Sequence, residues 1–185
     1  MFGINGLIYI PQYISQPHHD KLIETTDEQP WRGELARRTQ HYGYVYDYRA
    51  KSVNVSMRLG ELPTWLERIA QHLHYDGLVP TMPDQAIINE YLPGQGIANH
   101  IDSAPSFGEV VISLSLAAPA VMEYKKDDQT VPVLLEPRSL VVMRGAARYE
   151  WTHGIPKRKQ DSYDGQIFIR ERRLSITFRK VALSA

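Results

Sequence analysis

Between Ala86 and Val181 the chain breaks into short runs of β-branched and aromatic residues, and this constrains the fold more than any other feature. The runs are Ala86–Leu92, Val110–Leu116, Ala120–Tyr124, Val131–Leu135, Ser139–Met143, Arg148–Trp151 and Leu174–Val181. Pro119, the Asp127-Asp128 pair, Pro137 and Gly145 separate them; such residues end strands because they favour turn dihedrals or lack a ladder donor. Strands this short must bury their faces and hide their edges, and a two-layer jelly roll does both. The first half reads differently. Gly6-Leu7-Ile8-Tyr9-Ile10-Pro11 is one short strand, and Ser15 caps a helix running to about Thr26. Leu62, Trp65, Leu66, Ile69, Ala70 and Leu73 recur at the spacing of an amphipathic helix that stops near Gly77. Trp31–Tyr48 is polar, aromatic and basic, with no steady period. The expected class is α+β: a double-stranded β-helix, or jelly roll, with N-terminal helices packed outside it. The 185 residues suffice for one domain, with helices and the polar-aromatic segment in 1–80 and the jelly-roll core in 81–185.

The last run carries chemistry. By alternation Arg173, Ser175, Thr177 and Arg179 share one face and Leu174, Ile176 and Phe178 the other. Two arginines inside a closed β-core need an anionic partner, since an unpaired buried charge costs several kcal/mol; the alternative is an edge strand with both in water. Asn89 and Tyr91 alternate in the same way on an earlier run and offer amide and phenol groups to a carboxylate. His-x-Asp occurs as His18/Asp20, His74/Asp76 and His100/Asp102. The first two pairs fall on helices, where i and i+2 diverge. The third follows the Pro93-Gly94-Gln95-Gly96 turn in extended chain, where i and i+2 share a side. His153 precedes Gly154, which permits close backbone approach. Two imidazoles and a carboxylate are the minimum set for a facial iron(II) centre with open positions, and an arginine fork beside it suits a dicarboxylate. The residues thus point to a dioxygenase.

The chain has no cysteine, which excludes thiolate metal sites, disulfides and cysteine nucleophiles. Lysine plus arginine equals aspartate plus glutamate at 21 each, so attraction to nucleic acid must come from local patches. No apolar stretch approaches a membrane span, and Met1–Ile10 has no basic start or long apolar run. The expectation is a monomeric cytoplasmic or nuclear enzyme without membrane contact.

The ordered set Asn89-x-Tyr91, Pro-Gly-Gln-Gly, His100-x-Asp102, Val111-Ile112-Ser113-Leu114-Ser115-Leu116, Pro137-Arg138-Ser139-Leu140, Arg148-Tyr149-x-Trp151-x-His153-Gly154-Ile155 and Arg173-x5-Arg179 resembles the AlkB family. Its members are iron(II)- and 2-oxoglutarate-dependent dioxygenases of modified nucleobases. The likeness runs from Gly6 to Val181 and is greatest to the branch that hydroxylates wobble uridine in tRNA. It implies Fe(II) on His100, Asp102 and His153, with Arg173 on the far carboxylate of 2-oxoglutarate. Asn89, Tyr91 and Arg179 would support the rest of that molecule, and O2 is the oxidant. The implied partner is alkylated DNA or RNA, including tRNA, with oxidative demethylation as the main reading. Wobble-uridine hydroxylation is the alternative, and a protein or small-molecule hydroxylase or demethylase stands as another class. Arg38-Thr39-Gln40-His41-Tyr42-Gly43-Tyr44 is similar to the family's nucleotide lid, so Arg38, Tyr42 and Tyr44 are the expected substrate-binding residues. Trp31, Tyr46 and Tyr48 are further stacking candidates, and Arg32, Arg37 and Lys157-Arg158-Lys159 further phosphate contacts or simply solvated surface. Ala104 and Ser175 depart from the bacterial prototype, which has an acidic residue and an asparagine there.

Overall fold

A computed structural model describes residues 2–183. The elements in order are β1 (Leu7–Ile10), α1 (Gln16–Asp27), β2 (Thr39–Tyr42), a 3-10 turn (Val55–Met57), α2 (Thr64–Tyr75), β3 (Gln85–Tyr91), β4 (Ile97–His100), β5 (Phe107–Ala117), β6 (Ala120–Lys126), β7 (Gln129–Leu135), β8 (Leu140–Met143), α3 (Ala146–Tyr149), β9 (Thr152–Ile155), β10 (Gln160–Tyr163), β11 (Gln166–Ile169) and β12 (Arg173–Val181). Two antiparallel sheets form the jelly roll: six strands ordered β1-β8-β5-β12-β3-β2 and four ordered β4-β9-β6-β7. β10 and β11 make a separate hairpin. The first 80 residues therefore supply two edge strands as well as helices. Among the described residues no helix is long and apolar enough to cross a membrane.

Period-two alternation divides the large sheet between two cores. Ala86, Ile88, Ile112, Leu114, Leu140, Val142, Leu174, Ile176 and Phe178 pack on one side with Leu22 of α1 and Leu66, Ile69 and Leu73 of α2. Ser15 caps α1 by accepting a hydrogen bond from the His18 backbone. α2 ends where Gly77 takes φ +70 and the Leu78 N–H closes on the Leu73 carbonyl at 3.0 Å. Truncating a fully buried leucine or isoleucine here, such as Ile176, costs about 2–5 kcal/mol. The opposite residues of the same strands, among them Tyr91, Val111, Val141 and Met143, face the small sheet through Met122, Tyr124, Leu135 and Ile155. The expected faces of the last strand are the observed ones: Arg173 and Arg179 point between the sheets.

One expected strand is absent. Arg148–Trp151 is not extended; Ala146–Tyr149 forms one helical turn. Gly145, at φ +53, reverses the chain, and the Arg148, Tyr149 and Glu150 N–H groups close helical hydrogen bonds. Its aromatic content imitates a strand, but four residues carry no readable period. β2, β9 and the β10–β11 hairpin have no expected counterpart, and β4 is expected only as extended chain around His100, because strands of four residues carry too short a pattern for a readable period.

Candidate active site

β4 and β9 pair antiparallel so that His100 stands directly opposite His153, with a register shift between Ile97 and His100. The rings lie 4.5 Å apart. This requires Gly154: a Cβ there would sit 2.7 Å from Asn99 Oδ1 and 2.8 Å from Asn99 N. Asp102 follows two residues after His100, and ligand atoms of the three side chains all fall within 4.8 Å of one another. His100 Nδ1 lies 2.8 Å from the Ala98 carbonyl. A carbonyl only accepts, so Nδ1 carries the proton and Nε2 is left to ligate. Asp102 and His153 are buried, with Asp102 Oδ2 at 3.4 Å from His153 Nε2. Burial by itself would raise the Asp102 carboxyl, but the His153 contact and the Arg179 charge outweigh it and hold the group well below the carboxylate range.

The arginines complete the pocket. Arg179 donates to Asp102 Oδ1 at 2.6 Å and lies 3.9 Å over the Phe107 ring. Arg173 is 2% exposed and donates to Ser115 Oγ at 2.9 Å. Its Nε and Nη1 have no partner, nor has Arg179 Nε. Burial pulls the Arg173 guanidinium down to about 10. Native interiors rarely leave charged donors unsatisfied, so these orphans mark the seat of an anion. Asn89 and Tyr91 share this face, because β3 pairs with β12 at Ser175↔Asn89 and Arg173↔Tyr91. All open on one cavity of about 320 Å³, and the residues fit a ferrous ion with a dicarboxylate beside it. No second such cluster exists among the described residues. His74 Nδ1 instead faces the Val79 carbonyl, and Asp76 accepts from Tyr13 Oη.

The expected substrate residues do not come to the cavity. β2 pairs with β3 at His41↔Ile87 and Tyr42↔Ala86, so Tyr42 lies on the helix side. There it packs edge-on against Trp65 and hydrogen-bonds Gln40. Arg38 shares that side. It grips buried Glu90 with two hydrogen bonds, of 2.6 and 2.8 Å, and stacks over Trp31. Tyr44, after the Gly43 turn, is buried with Val53, Phe107 and Val181. Arg37, Tyr46, Tyr48 and Lys51 line the cavity instead: Arg37 because its strand parity is opposite to that of Arg38, and the two tyrosines because they follow the Gly43 turn that ends β2. Arg158 is committed to Asp161 and Glu123, while Lys157 and Lys159 stay exposed.

Arg148 is a residue the sequence reading missed. It is 2% exposed and donates to the carbonyls of Asp102 (2.7 Å), Gly108 (3.3 Å), Phe107 (3.4 Å) and Ser103 (3.5 Å). It therefore holds the loop that carries the Asp102 carboxylate. Five residues before His153, it signals only a basic residue in a supposed strand.

The family model for the 2OG-Fe(II) oxygenase superfamily matches residues 6–179. The chain is 35% identical over 97% of its length to the alkylated DNA repair protein ALKBH8 homolog of Arabidopsis thaliana, and 37% identical over 95% to the mouse tRNA (carboxymethyluridine(34)-5-O)-methyltransferase ALKBH8. It spans 59% of the plant protein and 30% of the mouse one. It also matches the uncharacterized protein L905 of Acanthamoeba polyphaga mimivirus, at 34% identity over 97% of this chain and 86% of that one. The solved structure of OsALKBH1 superimposes with a TM-score of 0.72 at 18% identity, covering 95% of this chain and 96% of that one. A Pseudomonas putida prolyl-4-hydroxylase superimposes with 0.62 at 15%, covering 95% and 92%; these two likenesses speak for the jelly roll alone. Donor set, orphaned arginines and family match agree, and the chain belongs to the AlkB family of the 2OG-Fe(II) oxygenase superfamily, iron(II)- and 2-oxoglutarate-dependent dioxygenases.

Proposed function

We propose that this dioxygenase oxidises a modified nucleobase in nucleic acid, with His100, Asp102 and His153 as the iron ligands. The observation that carries the chemistry is Arg173, a buried cation with two unsatisfied donors in the cavity that holds the ligand triad. When bound, iron(II), 2-oxoglutarate and dioxygen supply the oxidation: one oxygen atom ends in succinate as carbon dioxide leaves, the other in a hydroxyl group on the substrate. The chain positions and excludes. Arg173 pairs with the far carboxylate of the co-substrate, with Asn89 and Tyr91 along its length. Arg179 fixes the Asp102 carboxylate, and the Ala98 carbonyl fixes the His100 tautomer. Tyr46 and Tyr48 at the mouth offer ring faces to an unstacked base. On an N-methyl base the hydroxylated product is a hemiaminal that collapses to formaldehyde and the restored base. This is repair of alkylated DNA or RNA, and the name of the Arabidopsis relative carries alkylated DNA repair.

The name of the mouse relative, a tRNA carboxymethyluridine-34 methyltransferase, favours tRNA uridine as a second substrate, and the second reading is hydroxylation of a side chain on a tRNA wobble uridine. One experiment separates them. Methylated oligonucleotides and modified tRNA anticodon stem-loops are incubated with the enzyme, and their nucleosides are analysed by mass spectrometry with formaldehyde measured in parallel. Loss of a methyl group with formaldehyde supports repair; a gain of one oxygen atom without formaldehyde supports the wobble reading. Succinate formation that no nucleic acid stimulates refutes both.

A further inference from the structure

The charges lining the cavity do not balance. Arg37, Lys51, Arg173 and Arg179 face it, and the sole carboxylate in its wall is Asp102. Asp102 is matched by Arg179. A ferrous ion and a doubly charged 2-oxoglutarate cancel one another, which leaves the positive charges of Arg37, Lys51 and Arg173, and of these only Arg173 has the co-substrate carboxylate as its contact in the proposed function. Arg37 and Lys51 remain, and nothing described in the structure neutralises them. Arg37 donates Nε to the uncharged Oδ1 of Asn89 at 2.9 Å, and its guanidinium carbon lies 5.7 Å from the Tyr48 ring and 6.0 Å from the Tyr91 ring. These contacts, with the Tyr91 hydroxyl beside it, aim the guanidinium, and it has no ion-pair partner among the described residues. Lys51 makes no ion pair among the described residues and sits at φ +52 on the turn between Asp47 and Ser52. The one acid of that turn, Asp47, is taken up by the backbone N–H groups of Arg49 and Ala50 at 2.7 and 2.9 Å. Residues 47–52 thus form a tight turn that presents a cation to the mouth. Two cations in a half-enclosed pocket raise the local concentration of anions, and a guanidinium fork matches an oxyanion.

We propose that Arg37 and Lys51 form an oxyanion subsite at the cavity mouth, so that the substrate presents a carboxylate or phosphate group beside the reacting position. The proposal rests on the nucleobase reading for its probes only, because the subsite would read the same anion on any substrate. Its two sources are a carboxylate appended to the base and the phosphate of the target nucleotide.

The test is equilibrium binding to the protein loaded with Mn(II) and 2-oxoglutarate without oxygen, read by tyrosine and tryptophan fluorescence. The probes are uridine, 5-carboxymethyluridine, its methyl ester, uridine 5′-monophosphate and, as anions without a base, inorganic phosphate and acetate. Wild type is expected to bind at least one anionic nucleoside about tenfold or more tightly than uridine, and Arg37→Gln and Lys51→Gln should each lose most of that gain, about 1.4 kcal/mol. A preference for 5-carboxymethyluridine that vanishes in the ester assigns the carboxylate source; a preference for the monophosphate alone assigns the phosphate. Phosphate or acetate binding that depends on both residues, with every nucleoside inert, keeps the subsite and removes the nucleobase reading. Equal binding of all probes, or gains that survive in both variants, overturns the proposal. So does an Arg37→Gln variant whose loss falls on 2-oxoglutarate affinity instead, since Arg37 would then belong to the co-substrate. Lys51, exposed on its turn, keeps the test decisive if Arg37→Gln folds poorly.

Discussion

Replacing Arg173 with methionine should make the protein without co-substrate more stable while destroying its response to 2-oxoglutarate. Arg173 is 2% exposed, and Nε and Nη1 lack partners. Burial lowers its pKa from 12.5 to about 10, and each tenfold change in proton affinity is about 1.4 kcal/mol, so holding the charge there costs roughly 3 kcal/mol. Methionine fills much of the stem volume without a charge. It forfeits the Ser115 hydrogen bond, worth about 1 kcal/mol, and the net gain is about 2 kcal/mol. For a domain of this size that raises Tm by roughly 4–8 °C. In the wild type, 2-oxoglutarate at a hundred times its Kd, with Mn(II) present, should add about 2.7 kcal/mol by binding the folded state; in Arg173→Met that increment should disappear. Thermal unfolding of both proteins, each with and without 2-oxoglutarate, gives four values of Tm. A variant that melts lower than wild type alone and still gains stability from 2-oxoglutarate would refute the reasoning, because Arg173 would then be a structural cation with partners in solution.

Three further outcomes follow from the geometry. Arg148→Lys keeps a charge but cannot reach all the carbonyls of the Asp102 loop, so Co(II) affinity measured by its visible absorption should fall at least tenfold, as outer partners of metal ligands do, while far-UV circular dichroism stays as in wild type; unchanged affinity would reduce Arg148 to a packing residue. Arg38→Ala should lower stability by about 1 kcal/mol in urea, since Glu90 loses one of its two arginines and keeps Arg172; an oligonucleotide Kd that rises more than twofold would return Arg38 to the substrate. His41 is held neutral, lowered from 6.5 to about 4 first by burial and then by the charges of Arg32 and Arg179. The unfolded chain takes its proton near 6.5 and the folded one near 4. The stability is therefore complete above pH 6.5 and lost as pH falls toward 4, about 3 kcal/mol in all. His41→Gln should flatten that part of the curve of Tm against pH, and equal slopes in both proteins would contradict it.

The amino-acid sequence by itself determined what local periodicity and residue chemistry can carry. Alternation in β12 put Arg173 and Arg179 opposite Leu174, Ile176 and Phe178; Ser15 and the Leu62–Leu73 spacing announced the two helices; backbone direction in extended chain chose His100/Asp102 over the two helical pairs. Each of these is settled within a few residues, by the dihedrals of one element. What only the tertiary structure decided depends on pairing between distant segments. Whether Arg37 or Arg38 faces the cavity turns on the register of β2 against β3, and a slip of one residue exchanges every side chain between the faces. The nucleotide-lid likeness names Arg38, Tyr42 and Tyr44, whereas the fold puts Arg37, Tyr46 and Tyr48 on the cavity wall. Arg148 gained its role because one helical turn after Gly145 brings it beneath a loop some forty residues earlier. The excess of cations at the mouth, in a chain of zero net charge, likewise exists only once β2, the 47–52 turn and β12 are folded around one cavity, because net charge is a sum over the chain and the field at a site is a matter of distance.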